Sequence, residues 1–439
     1  MPGSSQRMGF APLFASALLA ALLAFPSFGE TVESESVEAE TETALDTEAS
    51  SESSSQDTPE AVAAAAVRAS FLDKLQIHGF LTQAYAEASF VDVGPSSNEV
   101  ALGIPEDGSS AYRFLALQFR YEISSKDIVV VQFSSRELGF SPIQTLEDEV
   151  ELDWAFYERR LTDSTSIKVG RVQIPIGIYN EIRDVGTILP FYRPPFGWYS
   201  EGSFTSETID GIVVSNRFFP EYDWNLDLDF YFGEWGEFEI DPANPTAAVP
   251  VRAKNAGGLQ LWLNTPVPGL RFGAGGNVKK LEGGILRPPG VTSPTSDHTF
   301  FSLDGSFDRF VVRGEYRELN SDLIIPLTTI EVGTISWYVQ LGFFITEKLQ
   351  IWGQYDDVNI TGNSPLHTRK ADTDFRDDLG VSLNYVFRPD LVLKLEYHET
   401  EENLPNVRPV PGPGGIRLDP FVVPLGEGSY TILSLSVSF

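Results

Sequence analysis

The chain has four histidines, His78, His298, His367 and His398, and no cysteine among its 439 residues. The histidines are scattered, and none stands at a metal-ligand spacing from another. Without cysteine there is no disulfide framework, thiolate metal site or sulfur nucleophile. A Ser/His nucleophile pair has no local signature. Gly273-Ala274-Gly275-Gly276 lies in a strand-like run, where glycine permits bending, and matches no phosphate loop. These residues predict no enzyme, no cofactor and no metal centre.

What does stand in a pattern is charge. Arg120 and Glu122, Glu151 and Asp153, Arg159, Lys168, Asp227 and Asp229, and Arg313, Glu315 and Arg317 fall on the polar side of period-two runs. Such groups can set the charge of an aqueous passage or pair with one another across it. A second group, Arg171, Glu181, Arg183, Asp184 and Arg193, borders or lies within 174–205. That segment also holds Tyr179, Phe191, Tyr192, Pro194, Pro195, Phe196, Trp198, Tyr199 and Phe204, too apolar a set to lie open to water. The segment must pack against something. Folding into the lumen of a barrel, with its charges facing a constriction, fits best; lying over the rim or a neighbouring subunit is the alternative.

The elements that position these residues are strands. In Trp224–Phe232, Trp224, Leu226, Leu228, Phe230 and Phe232 share one face and Asn225, Asp227, Asp229 and Tyr231 the other. Leu259/Leu261/Leu263, Ile335/Trp337/Val339/Leu341/Phe343 and Leu391/Leu393/Leu395/Tyr397 follow the same rule. Such alternation suits a soluble sandwich, whose apolar face meets a second sheet, as well as a barrel whose apolar face meets lipid. The connections separate the two. Strands beginning near 75, 112, 127, 149, 166, 206, 224, 257, 270, 297, 310, 333, 348, 376, 390 and 429 are joined alternately by tight turns and long polar segments. The turns include Ser125-Lys126, Asp308-Arg309 and Arg388-Pro389-Asp390; the long segments lie around 91–111, 174–205, 234–256 and 399–428. Membrane barrels place every long loop at one end and both termini at the other, with an even strand number. The expectation is an all-β, sixteen-stranded antiparallel transmembrane barrel over 71–439, with long extracellular loops and short periplasmic turns. Phe218, Trp224, Phe307, Phe310, Phe387 and Phe439 gather near the short-turn end as an interfacial girdle.

Before the barrel, Arg7, the apolar run Met8–Phe28 and the small residues Ser27 and Gly29 read as a signal peptide, 1–29, cleaved after Gly29. Residues 30–70 read as an acidic disordered linker with a short helical stretch after Pro59. The formal charge is −31 overall. Residues 1–70 hold 11 acids and 2 bases, leaving 51 acids and 29 bases, a charge of −22, on the rest. That sign argues against a nucleic-acid partner and favours a mild cation preference, although the arginines keep an anion channel open. After residue 30 no apolar run is long enough for a membrane helix.

The last strand, Tyr430–Phe439, alternates Leu433, Leu435, Val437 and Phe439 with Ser434, Ser436 and Ser438. In this it resembles the closing strand of Gram-negative outer-membrane porins. Gly170–Asp184 is similar to a stretch in the phosphate-selective porin O/P-like group and its uncharacterised relatives, where it leads into the third external loop. The resemblance implies an outer-membrane channel for passive diffusion of small hydrophilic solutes, with 174–205 as constriction. It also implies a homotrimer, contact with outer-membrane lipid and lipopolysaccharide, and Phe439 as part of a signal read by the barrel-assembly machinery. A solute-selective channel, for phosphate or another anion, and a structural or adhesive barrel are the alternatives.

Overall fold

The computed structural model describes residues 72–90, 103–139, 141, 144, 150–199, 207–241, 244–284, 295–325, 328–363, 371–409 and 416–439. The segments 1–29 and 30–70, His367 and Phe204 lie outside the described residues. Sixteen strands form the chain's framework. The first five are β1 (Leu75–Phe90), β2 (Ser109–Ser124), β3 (Asp127–Leu138), β4 (Glu151–Arg160) and β5 (Thr165–Gln173). After a helical turn, α1 (Phe196–Tyr199), come β6 (Thr208–Phe218), β7 (Asn225–Asp241), β8 (Asn244–Asn264), β9 (Leu270–Gly283), β10 (Thr295–Ser306) and β11 (Phe310–Ile325). The last five are β12 (Thr328–Phe344), β13 (Leu349–Asn363), β14 (Ala371–Arg388), β15 (Leu391–Pro409) and β16 (Ile416–Ser438). Each pairs with its sequence neighbours, and β1 closes on β16, so the sheet has no free edge. Closure is what allows a sheet to stand in hydrocarbon, where an unpaired N–H or C=O finds no water.

At the closing seam Gly79 and Phe439 exchange both backbone hydrogen bonds, 2.9 and 3.0 Å. The Phe439 ring lies where a Cβ on residue 79 would be, so glycine there makes room for the terminal aromatic.

The two faces differ as the alternation requires. On β7, Trp224, Phe230 and Phe232 are about half exposed on the outside, while Tyr231 between them is fully buried inside. Phe218, Trp224, Phe310, Phe387 and Phe439 are exposed around the short-turn end; Phe307 is half-buried. Several strands begin earlier than the apolar alternation does, β8 at 244, β12 at 328, β14 at 371 and β16 at 416. The reason is physical. Alternation is imposed only where one face meets lipid, whereas antiparallel pairing continues above the membrane with water on both sides.

Among several register shifts, one moves a residue expected on the lumen wall. The β3–β4 register shifts between Gln132 and Phe133, so that Gln132 faces Trp154 and Phe133 faces Leu152. Asp153 is the extra residue of a bulge, and both it and Trp154 are buried on the inside. An extra residue inverts the parity of everything beyond it. Arg159, expected on the lumen wall, is therefore on the outer face near the short-turn end, where it pairs with Asp127 at 3.1 Å.

Candidate functional site

The inside of the barrel is occupied by the segment that follows β5. From Ile174 to Tyr199 most of its apolar side chains are buried, among them Ile174, Ile176, Ile178, Tyr179, Leu189, Phe191, Trp198 and Tyr199, while Ile188 is 51% exposed. All but Phe191 of the buried set join wall residues such as Trp154, Tyr231, Trp262, Phe300 and Tyr338 in one core, and Phe191 packs in a second cluster with Val311 and Trp352. The apolar excess of this segment is thus spent inside the barrel, on a wall that is otherwise polar.

A loop crossing a lumen must satisfy its own backbone, and the wall supplies the partners. Gly177 N–H donates to Gln260 Oε1 at 2.6 Å and Ile178 N–H to Glu315 Oε1 at 3.0 Å. Gly177 has φ +66°, and a Cβ there would collide with the Tyr199 hydroxyl, the Glu315 carboxylate and the Trp198 ring. Farther along, the carbonyls of Pro190, Phe191 and Gly197 accept from Asn384 (2.9 Å), Lys394 (2.9 Å) and Arg317 (2.7 Å). Glu396 accepts from Tyr192 N–H at 2.6 Å. His398 stacks flat on Tyr430, donates from Nδ1 to the Asp378 carboxylate at 2.7 Å and meets the Phe191 ring edge-on.

The strongest anchor is Glu315. Besides Ile178 N–H, its carboxylate accepts from Ser302 (2.5 Å), Tyr338 (2.7 Å) and Tyr199 hydroxyls. Arg313 next to it on the inner face donates to Tyr179 at 2.9 Å and pairs with Asp304 at 3.1 Å.

At the loop's other flank three carboxylates, Asp153, Asp184 and Glu207, come close enough to hold a metal ion. A guanidinium does that work instead. Arg136 lies 2.5 Å from Glu207, 3.5 Å from Asp184 and 3.6 Å from Asp153, and Arg183 adds a contact of 3.3 Å to Glu207. Burial pushes the Glu207 carboxyl up, but the guanidiniums of Arg136 and Arg183 outweigh it and hold the group at about 2, from an ordinary 4.5.

The remaining candidates fall elsewhere. Arg120 is near the short-turn end, bonded to Glu122 at 2.6 Å and Gln76 at 2.9 Å. Glu151 faces Ser134 across β3. Arg171 lies two residues before the end of β5, opposite Ala155 and Asp210. Arg193, on the loop, lies over the rings of Tyr112 and Tyr192. Lys168, Glu181, Asp227 and Asp229 gather at the short-turn end of the lumen, beneath the loop. There they line or border a cavity of about 500 Å³, with Arg217, Gln260, Trp262 and Arg271. On the long-loop flank two cavities of about 30 and 50 Å³ are only large enough for a water or two.

Sequence reasoning missed Arg136, Glu207 and Asp378 as members of this site. Arg136 had a signal, since Val130, Gln132, Ser134 and Arg136 alternate on one face of β3. Glu207 had none, because its role depends on a loop returning to β3.

No protein-family model matches the chain, and neither does any curated protein. Solved structures do match. OmpF of Salmonella typhi, in complex with daunomycin, is 11% identical, with a TM-score of 0.52 over 83% of this chain and 97% of that one. The outer-membrane channel DcaP of Acinetobacter baumannii is 10% identical, with a TM-score of 0.50 over the same shares, 83% and 97%. The fold is that of an outer-membrane porin-like barrel. At this identity the match concerns the fold of the outer-membrane barrel and nothing finer.

Proposed function

We propose that the chain is an outer-membrane porin, a water-filled channel for passive diffusion of small hydrophilic solutes and ions, narrowed by the inner loop 174–199. The observation that carries this reading is the loop's position. A closed wall, apolar outside and charged inside, encloses a segment that the wall's own side chains hold across the lumen, above a polar cavity of about 500 Å³. A charge on the lipid face costs about 2–4 kcal/mol for Arg or Lys at the bilayer midplane. The inward row Arg313, Glu315 and Arg317 therefore makes sense against water and the loop.

In this reading the short turns and both ends of the barrel face the periplasm, the copies assemble as a homotrimer, and Phe439 belongs to the assembly signal. Selectivity for phosphate or another anion has less support. Arg136, Arg313 and Arg317, the cations an anion would seek, are committed to carboxylates, a tyrosine or a loop carbonyl.

Insertion of purified protein into a planar bilayer tests the reading. Stepwise ohmic conductance is the expected result. A barrel that inserts and stays electrically silent overturns it, and saturation of the current by phosphate moves the reading to a selective channel.

A further inference from the structure

The cavity beneath the loop differs from the rest of the lumen in how its charges are matched. It opens at the short-turn mouth, between the turns around Thr162–Thr165 and Pro220. Its arginines are largely committed. Arg217 holds Asp227 through two nitrogens, at 2.5 and 3.1 Å. Arg271 holds Asp304 at 2.9 Å and lies 4.1 Å over the Trp262 ring.

The carboxylates are not matched in the same way. Glu181 of the loop is 4.0 Å from the Lys168 ammonium, a loose contact. Glu158 stands opposite Lys168 in the β4–β5 register. Asp229 accepts one hydrogen bond, from Ser215 at 2.6 Å, and the cation whose field reaches it is again Lys168. Three carboxylates therefore crowd around one ammonium, and the other cation whose field reaches Glu181 is Arg271, already paired with Asp304. Arg160 at the rim is the remaining cation of the lining.

A half-matched group of charges inside a low-dielectric wall projects its field into the enclosed water instead of cancelling it. From this we infer that the cavity is the ion-selectivity station of the channel. Glu158, Glu181 and Asp229, gathered around Lys168, favour cations there, inorganic or organic ammonium ions alike. The inference rests on the channel reading above and names the solute class that its short-turn mouth prefers.

The test is the reversal potential of single channels in asymmetric KCl. The unmodified protein is expected to prefer K⁺ over Cl⁻. The double variant Glu158→Gln/Asp229→Asn is expected to lose about three-fold in that permeability ratio, and Lys168→Gln to gain a similar factor. Spermidine added on the short-turn side of the unmodified protein should block at lower concentration than from the other side, and the double variant should lose that asymmetry. This measurement stands even if a variant fails to assemble. An anion-preferring channel, an unchanged ratio in the double variant, or block equal from both sides overturns the inference. A silent barrel refutes the channel reading itself, so the two failures are distinguishable.

Discussion

The lumen holds two regions built from the same residue types and put to opposite uses. Along the inner loop, Glu315, Arg317, Lys394 and Glu396 are buried and spend their charge on backbone groups and hydroxyls of a crossing segment. Below the loop, Glu158, Glu181 and Asp229 line open space with one ammonium among them. What separates the two is whether a partner arrives from the loop. A carboxylate that receives several donors is an anchor, because moving it leaves those donors buried and unsatisfied. A carboxylate with one weak partner keeps its field for whatever enters the water beside it. The inward face alone does not decide between the roles, since Glu315 on β11 and Asp229 on β7 both alternate inward.

The comparison breaks most visibly at its strongest anchor. Glu315→Ala strips the acceptor from Ile178 N–H and three hydroxyls, at a cost of roughly 3–5 kcal/mol. That is enough to undock the loop, and single-channel traces should show a larger, noisier open state. If conductance is unchanged, Glu315 is not an anchor.

Gly177→Val reaches the same place from the backbone. A β-branched residue at φ +66° whose side chain meets Glu315 and Tyr199 should cost about 2–3 kcal/mol. Limited proteolysis should then cut within 174–199, where the parent chain resists.

Acid provides a milder, reversible release. Glu207 is held near 2 in the folded chain against an ordinary 4.5. Its contribution to the loop is therefore complete above about 4.5 and disappears as pH falls through about 2, never as pH rises. Conductance followed from pH 6 to pH 2 should depart from its plateau only at the acidic end, and Arg136→Met should move that departure to higher pH.

The smallest effect belongs to Arg159. On the outer face, with its side chain 53% exposed and paired to Asp127, Arg159→Gln should leave the thermal midpoint where the parent has it. Its reversal potential should match the parent's. A shift there would return Arg159 to the lumen and undo the bulge.

Much of the fold was legible because a lipid-facing sheet writes its geometry into every second residue. Strand number, closure by the last strand and the inward set on β7 and β11 all follow from that rule. So does the destination of 174–199, whose aromatic density had to be buried somewhere. The upper reaches of β8, β12, β14 and β16 were not legible, since pairing in water leaves no apolar period. The site was read less well than the fold. Alternation assigns Glu315 and Asp229 to the same face but says nothing of what crosses the lumen to meet them, and only that partner tells an anchor from a free charge. Arg136 was passed over because its three carboxylates come from β4, the loop and the approach to β6.

The bulge at Asp153 has a bearing on how this chain tolerates changes of length. At the tight turns an added or lost residue alters only the reach of a connection. Between Leu152 and Trp154 it would exchange the two sides of half a strand, sending Trp154 and Phe156 toward lipid and bringing Tyr157 and Arg159 inward. Asp153, near the start of β4, is thus a length-sensitive position, where an indel acts like a frameshift confined to three dimensions.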